Sequence, residues 1–365
     1  MRSRHTDFIL LIIIGILIVF GLIMISSASI AISQETYNQS YYFLKNQIWR
    51  GLLPGLILGS AAFFIPYQWW KKLALPLFIS TILMLIAVFI PGLGQPHNGA
   101  HRWLNLGSIS VQPSEFLKLT FLIYLAAWLA TKEKTIKFFF QSLIPFVILV
   151  GLVAILLILE PDFGSMGVIG FTALAMFFLA GAPLIHLGLI GAGAIILFGI
   201  LVRFFSHASN RLQVFMNPQL DPQGIGYQMG QALLALGSGG LFGLGLGQSV
   251  QKFKYLPQPA SDAIAAIIGE ELGFVGLLCL LALFIALAWR GYKIARSAPD
   301  NFSKLLAGGI TSWILIQALI NIAAISGLIP LTGITLPFIS LGGSSLAITL
   351  TAMGILLNIS KYNTN

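Results

Sequence analysis

The chain has 365 residues, of which 57% are hydrophobic and only 8% charged, against about 25% charged in a typical soluble domain. Apolar runs of about 20 residues, the length that crosses a bilayer, recur from end to end and exclude a soluble enzyme or a disordered chain. The net charge of +9 comes with no basic surface interleaved with aromatics, so nucleic acid is excluded as a partner and the excess reads as Lys and Arg in loops. The single Cys279 lies in an apolar run, which leaves no disulfide framework and no thiolate metal site.

In chain order, MRSRHTD is followed by FILLIIIGILIVFGLIMISSASIA. This apolar stretch is longer than the core of a signal peptide and reads as an uncleaved first span. Ten spans are expected, at about 8–31, 47–66, 73–91, 112–131, 140–158, 162–181, 184–206, 263–289, 303–327 and 336–358. The fold class is therefore an all-α polytopic membrane protein, one membrane domain over residues 1–365. It has about ten transmembrane helices and a large extracytoplasmic loop, about 207–262, between the seventh and eighth. Arg2 and Arg4 and the basic short connections 67–72, 131–137 and 290–304 place both termini and those connections in the cytoplasm by the positive-inside rule. The acids are distributed the opposite way. Glu115, Glu160, Asp162, Asp262, Glu270 and Glu271 fall at outer ends or inside spans, where a mid-bilayer charge costs at least ~2.5–3.5 kcal/mol.

The third connection reads NGAHRWLNLGSISVQPSEFLKL from Asn98. Pro113 and Glu115 mark a helix start, and Glu115 and Lys118 share one helix face. They read either as an ion pair that holds the bundle or as a substrate-facing pair, with Arg102 and Trp103 beside them at headgroup level. LEPDFGS, 159–165, reads as a turn with a helix cap, though two close carboxylates also suit a divalent cation. The loop, about 207–262, is too apolar for a disordered linker and reads as a partly folded cap. Its glycine run, 237–249, matches no nucleotide-binding spacing, and its backbone amides are left as a cradle for a pyrophosphate. Asp262, in the same stretch as Arg211, Lys252 and Lys254, reads either as a helix-start acid or as a general base toward a sugar hydroxyl.

Together, MISSAS, YYFLKNQ, NGAHRW, QPSEFLKL, EPDFGS, GYQMGQALLALGSGGLFGLGLG, KYLPQPASDAIAAIIGEELGFVG and GLIPLTGITLPFISLGGSS resemble the SEDS family. These are the shape, elongation, division and sporulation proteins typified by FtsW, RodA and SpoVE. YYFLKNQ and NPQLDPQGIGYQ look more like the division branch. The resemblance implies a peptidoglycan glycosyltransferase that polymerises lipid II at the outer face of the bacterial cytoplasmic membrane. It also implies a class B penicillin-binding protein and other divisome or elongasome membrane proteins as partners. The family's essential acid falls on Asp262, and its QPSE-x-x-K motif falls on Gln112, Glu115 and Lys118. The implied substrate-binding set is Lys118, Glu115, Arg102, Trp103, Gln112, Arg211, Ser261 and Glu271. Where many relatives read LPEAHTDFIF, this chain has Gln258, Ala260, Ser261 and Ala263. No cluster of ligands identifies a metal, and a divalent cation, Mg2+ or Mn2+, is left open beside the pyrophosphate. The competing classes are a flippase for lipid-linked precursors and a non-catalytic divisome scaffold.

Overall fold

The computed structural model describes residues 6–97, 100–107, 109–253 and 255–362; Arg2, Arg4, Asn98, Gly99 and Lys254, named above, lie outside them. The apolar runs become helices because hydrocarbon offers a backbone N–H or C=O no water, and a helix satisfies these groups within one segment. The first are α1 (Phe8–Tyr37), α2 (Tyr42–Gln47), α3 (Leu53–Phe64) and α4 (Tyr67–Ala87). A small antiparallel sheet follows, of β1 (Gly94–His97), β2 (Ala100–Leu106) and β3 (Ile109–Val111). Then come α5 (Pro113–Thr131), α6 (Ile144–Leu159), α7 (Phe163–Leu179), α8 (Leu184–Phe204), α9 (Ser206–Met216) and α10 (Ile225–Gly239). The chain ends with α11 (Ile264–Arg296), α12 (Asn301–Ile325) and α13 (Gly343–Ser360).

Among the described residues, 8 helices are long and apolar enough to cross a membrane. The other two expected spans are α3, joined to α2 by the π-turn Ile48–Leu52, and the shorter α7. The chain is thus an almost wholly helical, multi-pass membrane protein. Its helices α5, α12 and α13 are largely buried, whereas α8 is exposed along nearly its whole length.

Lipid gives helices no hydrophobic reason to associate, so close backbone approach at small residues supplies the contact. Gly51, Gly55 and Gly59 recur every fourth residue and face α13. A Cβ on Gly55 would stand 2.7 Å from Leu350 Cδ1 and 3.0 Å from Ala347 Cα, and one on Gly59 would stand 2.7 Å from the Leu350 carbonyl oxygen. At one end of the bundle Arg290 Nη2 donates to Asp7 Oδ2 at 2.6 Å, and the Asp7 N–H donates to Ser360 Oγ at 3.1 Å. These bonds tie the starts and ends of α1, α11 and α13 together there. The sheet, α9, α10 and the 326–342 connection lie at the other end, the loop end.

The expected cap is only partly a cap. After α10 the glycine run follows α11 inward, and Gly239 packs on Gly269 and Glu270, ~9 Å along the helix from Ile264 at 1.5 Å per residue. There α11 is interrupted at Gly273, whose φ is 70°. The break frees backbone groups that the loop then satisfies. Leu244 and Gly245 N–H groups donate to the Glu270 and Glu271 carbonyls at 2.9 and 3.0 Å. Phe274 and Val275 N–H groups donate to the Gly240 and Leu241 carbonyls at 2.9 and 3.0 Å. The reading of the run as a pyrophosphate cradle is corrected accordingly: two of its amides are committed to a broken helix, an arrangement tolerated at membrane depth only where protein covers it.

Gly243, at φ 80°, has no room for a side chain because its Cβ would collide with the Glu271 carbonyl. Gly243→Ala is expected to destabilise the protein by on the order of 2 kcal/mol or more, read as a lower thermal midpoint in detergent. An unchanged midpoint would show that the strap does not carry the break.

Candidate functional site

Two irregular segments meet at the loop end. The first follows α12, where Gly327 takes φ 71° and Pro330 prevents the helix from resuming. The stretch 332–342 then runs without regular structure, and buried polar side chains replace the missing ladder. Gln317 Nε2 donates to the Thr335 carbonyl at 2.9 Å, and Asn321 Nδ2 donates to the Ile334 carbonyl at 2.7 Å. Gln47 receives the Gly342 N–H at 3.0 Å.

The second segment is the turn that leads into α11. Three successive carbonyls in it are held from across the junction. The Leu341 N–H donates to Ala260 at 2.8 Å, Ser340 Oγ to Ser261 at 2.6 Å and Asn321 Nδ2 to Asp262 at 2.9 Å. The cap position of α11 is Ala263 with no side-chain cap, so Asp262 is free of that duty. The Gln228 side chain of α10 and the backbone N–H groups of Asp262 and Ala263 lie near its carboxylate and favour its charged form. Its Oδ1 is buried and unpartnered. Gly333, at φ 70°, lies alongside, and a Cβ there would stand 3.7 Å from Oδ2.

Two arginines adjoin this acid. Arg211 of α9 donates from Nη1 to the Thr332 carbonyl at 3.1 Å, and it feels the charges of Arg102, Asp162 and Asp262. Arg102 of β2 donates from Nε to the Glu160 carbonyl at 3.1 Å and from Nη2 to the Pro161 carbonyl at 2.5 Å. Each guanidinium has five N–H donors, so donors remain for an anion. Asp162 caps α7 by accepting the Ser165 N–H at 3.1 Å, as the LEPDFGS reading anticipated, while both Glu160 carboxylate oxygens are buried without a partner.

The environment sets the protonation of these groups. Burial pushes Asp262 up to about 6, opposed by the nearby backbone N–H groups, the Gln228 side chain and Arg211. Burial pushes Glu160 up to about 9, with Asp162 adding to the effect and Arg102 opposing it. Burial, then the adjacent Arg102, lowers Arg211, and Asp162 and Asp262 offset part of that.

The structure thus brings Asp262, Arg211 and Arg102 to one place and adds Gln228, Asn321, Asp162 and Gly333, which sequence reading did not single out for this role. The only sequence signal for Asn321 was an amide, one turn after Gln317, in an apolar span. Lys118 and Glu115 lie elsewhere. They pair at 2.8 Å, both buried, and Lys118 Nζ also donates to Gln317 Oε1 at 3.0 Å. No described hydrogen bond or ion pair joins them to Asp262. Trp103 is half-buried on β2 and points away from its neighbour Arg102 by strand alternation, while Gln112 sits at the N-cap of α5 without a side-chain capping bond. What Ser261 brings to the junction is its carbonyl.

Glu271 belongs to a separate latch. It accepts Ser27 Oγ at 2.6 Å and Lys252 Nζ at 3.0 Å, while Lys252 also donates to the Gly247 carbonyl at 2.6 Å. Glu270 accepts Ser249 Oγ at 2.5 Å and the Val250 N–H at 3.0 Å. This latch closes the glycine loop onto α1 and α11, beside a cavity of about 410 Å³. Among the described residues no three His, Cys, Asp or Glu side chains come together to hold a metal.

Two outcomes follow from these environments. Lys252→Met leaves Glu271 charged and unpaired, and is expected to cost about 3–5 kcal/mol, recovered in large part by adding Glu271→Gln. Asp262 has a raised folded-state pKa, so its ionisation works against folding as pH rises from its ordinary range to about 6. Asp262→Asn should therefore raise the thermal midpoint above pH 6, with the gain shrinking to nothing near pH 4. A gain that grew toward acid pH would overturn this assignment.

The family model of the FtsW/RodA/SpoVE cell cycle proteins matches residues 7–365. The chain is 43% identical over 369 residues to stage V sporulation protein E of Bacillus subtilis, covering 99% of each. It is 38% identical over 361 residues to a probable peptidoglycan glycosyltransferase FtsW of Trichlorobacter lovleyi, covering 98% of this chain and 94% of that one. Among solved structures, it superposes with a TM-score of 0.81 and 26% identity on a chain from work on structural coordination of polymerization and crosslinking by a peptidoglycan synthase complex, covering 97% of each. Thermus thermophilus rod shape determining protein RodA gives a TM-score of 0.71 at 27% identity, covering 99% of this chain and 98% of that one. The chain belongs to the FtsW/RodA/SpoVE family of cell cycle proteins.

Proposed function

We propose that this protein is a peptidoglycan glycosyltransferase that polymerises lipid II, with Asp262 as the general base. The observation that carries the reading is one carboxylate with a free buried oxygen, held at the loop end between Gln228 and Arg211 with Arg102 behind it. A base with a pKa of about 6 is largely ionised at neutral pH yet still able to accept a proton, the balance that favours general-base catalysis.

In the proposed step the 4-hydroxyl oxygen of the acceptor's GlcNAc attacks the anomeric carbon of the donor MurNAc. Asp262 takes the hydroxyl proton as the new glycosidic bond forms. The bond from the anomeric carbon to the lipid pyrophosphate breaks, and the pyrophosphate leaves with the electron pair. A single displacement turns the α-linked donor into a β-linked product, so no covalent sugar–enzyme intermediate is needed. The N–H groups of Arg102 and Arg211 not used on carbonyls face the charge that develops on the leaving group. Lys118, already committed to Glu115 and Gln317, is assigned no part in this. Glu160 and Asp162 offer partnerless buried oxygens of the kind Mg2+ or Mn2+ accepts, and among the described residues no third His, Cys, Asp or Glu side chain joins them. The stabilisation is assigned to the arginines.

The positive-inside arrangement puts both termini in the cytoplasm and the Asp262 site on the outer face of the cytoplasmic membrane. A class B penicillin-binding protein is the proposed partner, since the relatives include a chain from a peptidoglycan synthase complex.

The test is lipid II polymerisation by the purified protein with and without such a partner. Asp262→Asn is expected to lose roughly 10²–10⁴ of the rate, and glycan ladders at the normal rate from that variant would remove Asp262 from the mechanism. For the wild type, kcat/KM should rise about tenfold per pH unit below the Asp262 pKa of about 6 and level off above it. Lipid II scrambling in liposomes with no polymer under any condition would favour a flippase instead.

A further inference from the structure

We infer that Asn321 is the positioning residue for Asp262. The inference rests on the general-base reading above, and it names what aims that base. Asn321 is 2% exposed within the apolar helix α12. Its amide acts as a two-pronged donor. Nδ2 reaches the Asp262 carbonyl at 2.9 Å and the Ile334 carbonyl at 2.7 Å, whereas Oδ1 is buried and accepts nothing.

Both accepted groups bear on the site. The first carbonyl belongs to Asp262 itself, one bond from the Cα that carries the reacting carboxylate. The second belongs to Ile334, which follows Gly333 beside Oδ2 and Thr332, whose carbonyl anchors Arg211. One side chain therefore fixes both the acid and the segment that carries its cationic neighbour. Ala260 and Ser261, by contrast, are held by a backbone N–H and a hydroxyl of residues 341 and 340, and among the described residues Asn321 is the one amide side chain that bonds the backbone of Asp262. Gln317, one turn away on α12, grips Thr335 and makes no recorded bond to Asp262.

Geometry of this kind matters because a misplacement of about 1 Å costs on the order of 10²-fold in rate. Asn321→Leu keeps the approximate volume and removes both donors. In the lipid II polymerisation assay with purified, monodisperse protein, it is expected to lower kcat about a hundredfold with KM nearly unchanged. The pH midpoint of kcat/KM should also move from its wild-type value. Asn358→Leu, which removes a buried amide donor at the opposite end of the bundle, should leave that midpoint in place. An unaltered kcat per folded molecule and an unaltered midpoint in Asn321→Leu would overturn the assignment, as would an equal shift in Asn358→Leu.

A second measurement needs no catalysis. In a Cys279→Ala background, the maleimide alkylation rate of an Asp262→Cys thiol is followed against pH, with Asn321 intact or as Asn321→Leu. Loss of the clamp should raise that rate about tenfold, because local opening becomes easier, and should shift its titration. Equal rates and titrations would overturn the clamp whether or not Asp262 proves to be the base. Conversely, an active Asp262→Asn enzyme alongside a shifted thiol would remove the base assignment and leave the clamp standing.

Discussion

Every backbone N–H and C=O inside a bilayer must find a partner in the protein, because each one left open costs several kcal/mol. Regular helices meet that requirement automatically, so wherever this chain departs from a helix it has to supply partners from elsewhere. The departures that matter lie at the loop end. At Gly273 the α11 ladder is cut, and the loop after α10 closes it with four backbone bonds. At 332–342 the chain has no ladder, and Gln47, Gln317, Asn321 and Ser340 stand in for one.

Those substitutions give the loop end its rigidity and its chemistry together. A carboxylate on an ordinary loop would be solvated, mobile and ionised near its usual pKa. Asp262 is on a turn whose three preceding or own carbonyls are held from other elements, and its burial raises it toward neutrality. Arg211 and Arg102 are likewise held by carbonyls rather than by carboxylates. They keep their charge available instead of spending it on a salt bridge. Placement on well-braced segments is what a preorganised electrostatic site needs.

The buried charges divide into two kinds. Glu115–Lys118 and Glu271–Lys252 are paired, hydrogen-bonded and nearly inaccessible, the form in which an ionised group is tolerated in low dielectric. The first sets Gln317, which grips the 332–342 segment; the second latches the glycine loop under the site. Among the described residues Asp262, Glu160 and Asp162 are in no such pair and keep open oxygens, whereas Glu115 keeps one, Oε2, despite its pair. Family motifs mark both kinds alike, because a charge that holds the frame is as indispensable as one that meets the substrate. That is why Lys118, Glu115 and Glu271 entered the substrate-facing set on motif evidence, while in the structure Lys118 pairs with Glu115 and Gln317, and Glu271 pairs with Lys252.

Most of the fold was legible from residues alone. Apolar run length determined the spans, since bilayer thickness imposes that length whatever the neighbours are. Helix starts at Pro113 and Asp162 were legible because caps are local. Asp262 was visible through its motif, as were Arg102 and Arg211 through their charge. The break at Gly273, the purpose of the glycine run and the roles of Gln228, Gln317 and Asn321 were not. Each depends on contacts between residues far apart in the chain, such as the hydrogen bond from Asn321 to Asp262 across 59 residues, and no local pattern encodes the partner. The sequence by itself therefore determined that this is a multi-pass helical protein with most of its acids at one end and its basic short connections at the other. Only the tertiary structure decided which of those charges stay open for chemistry, because burial and long-range partners decide whether a charge is neutralised.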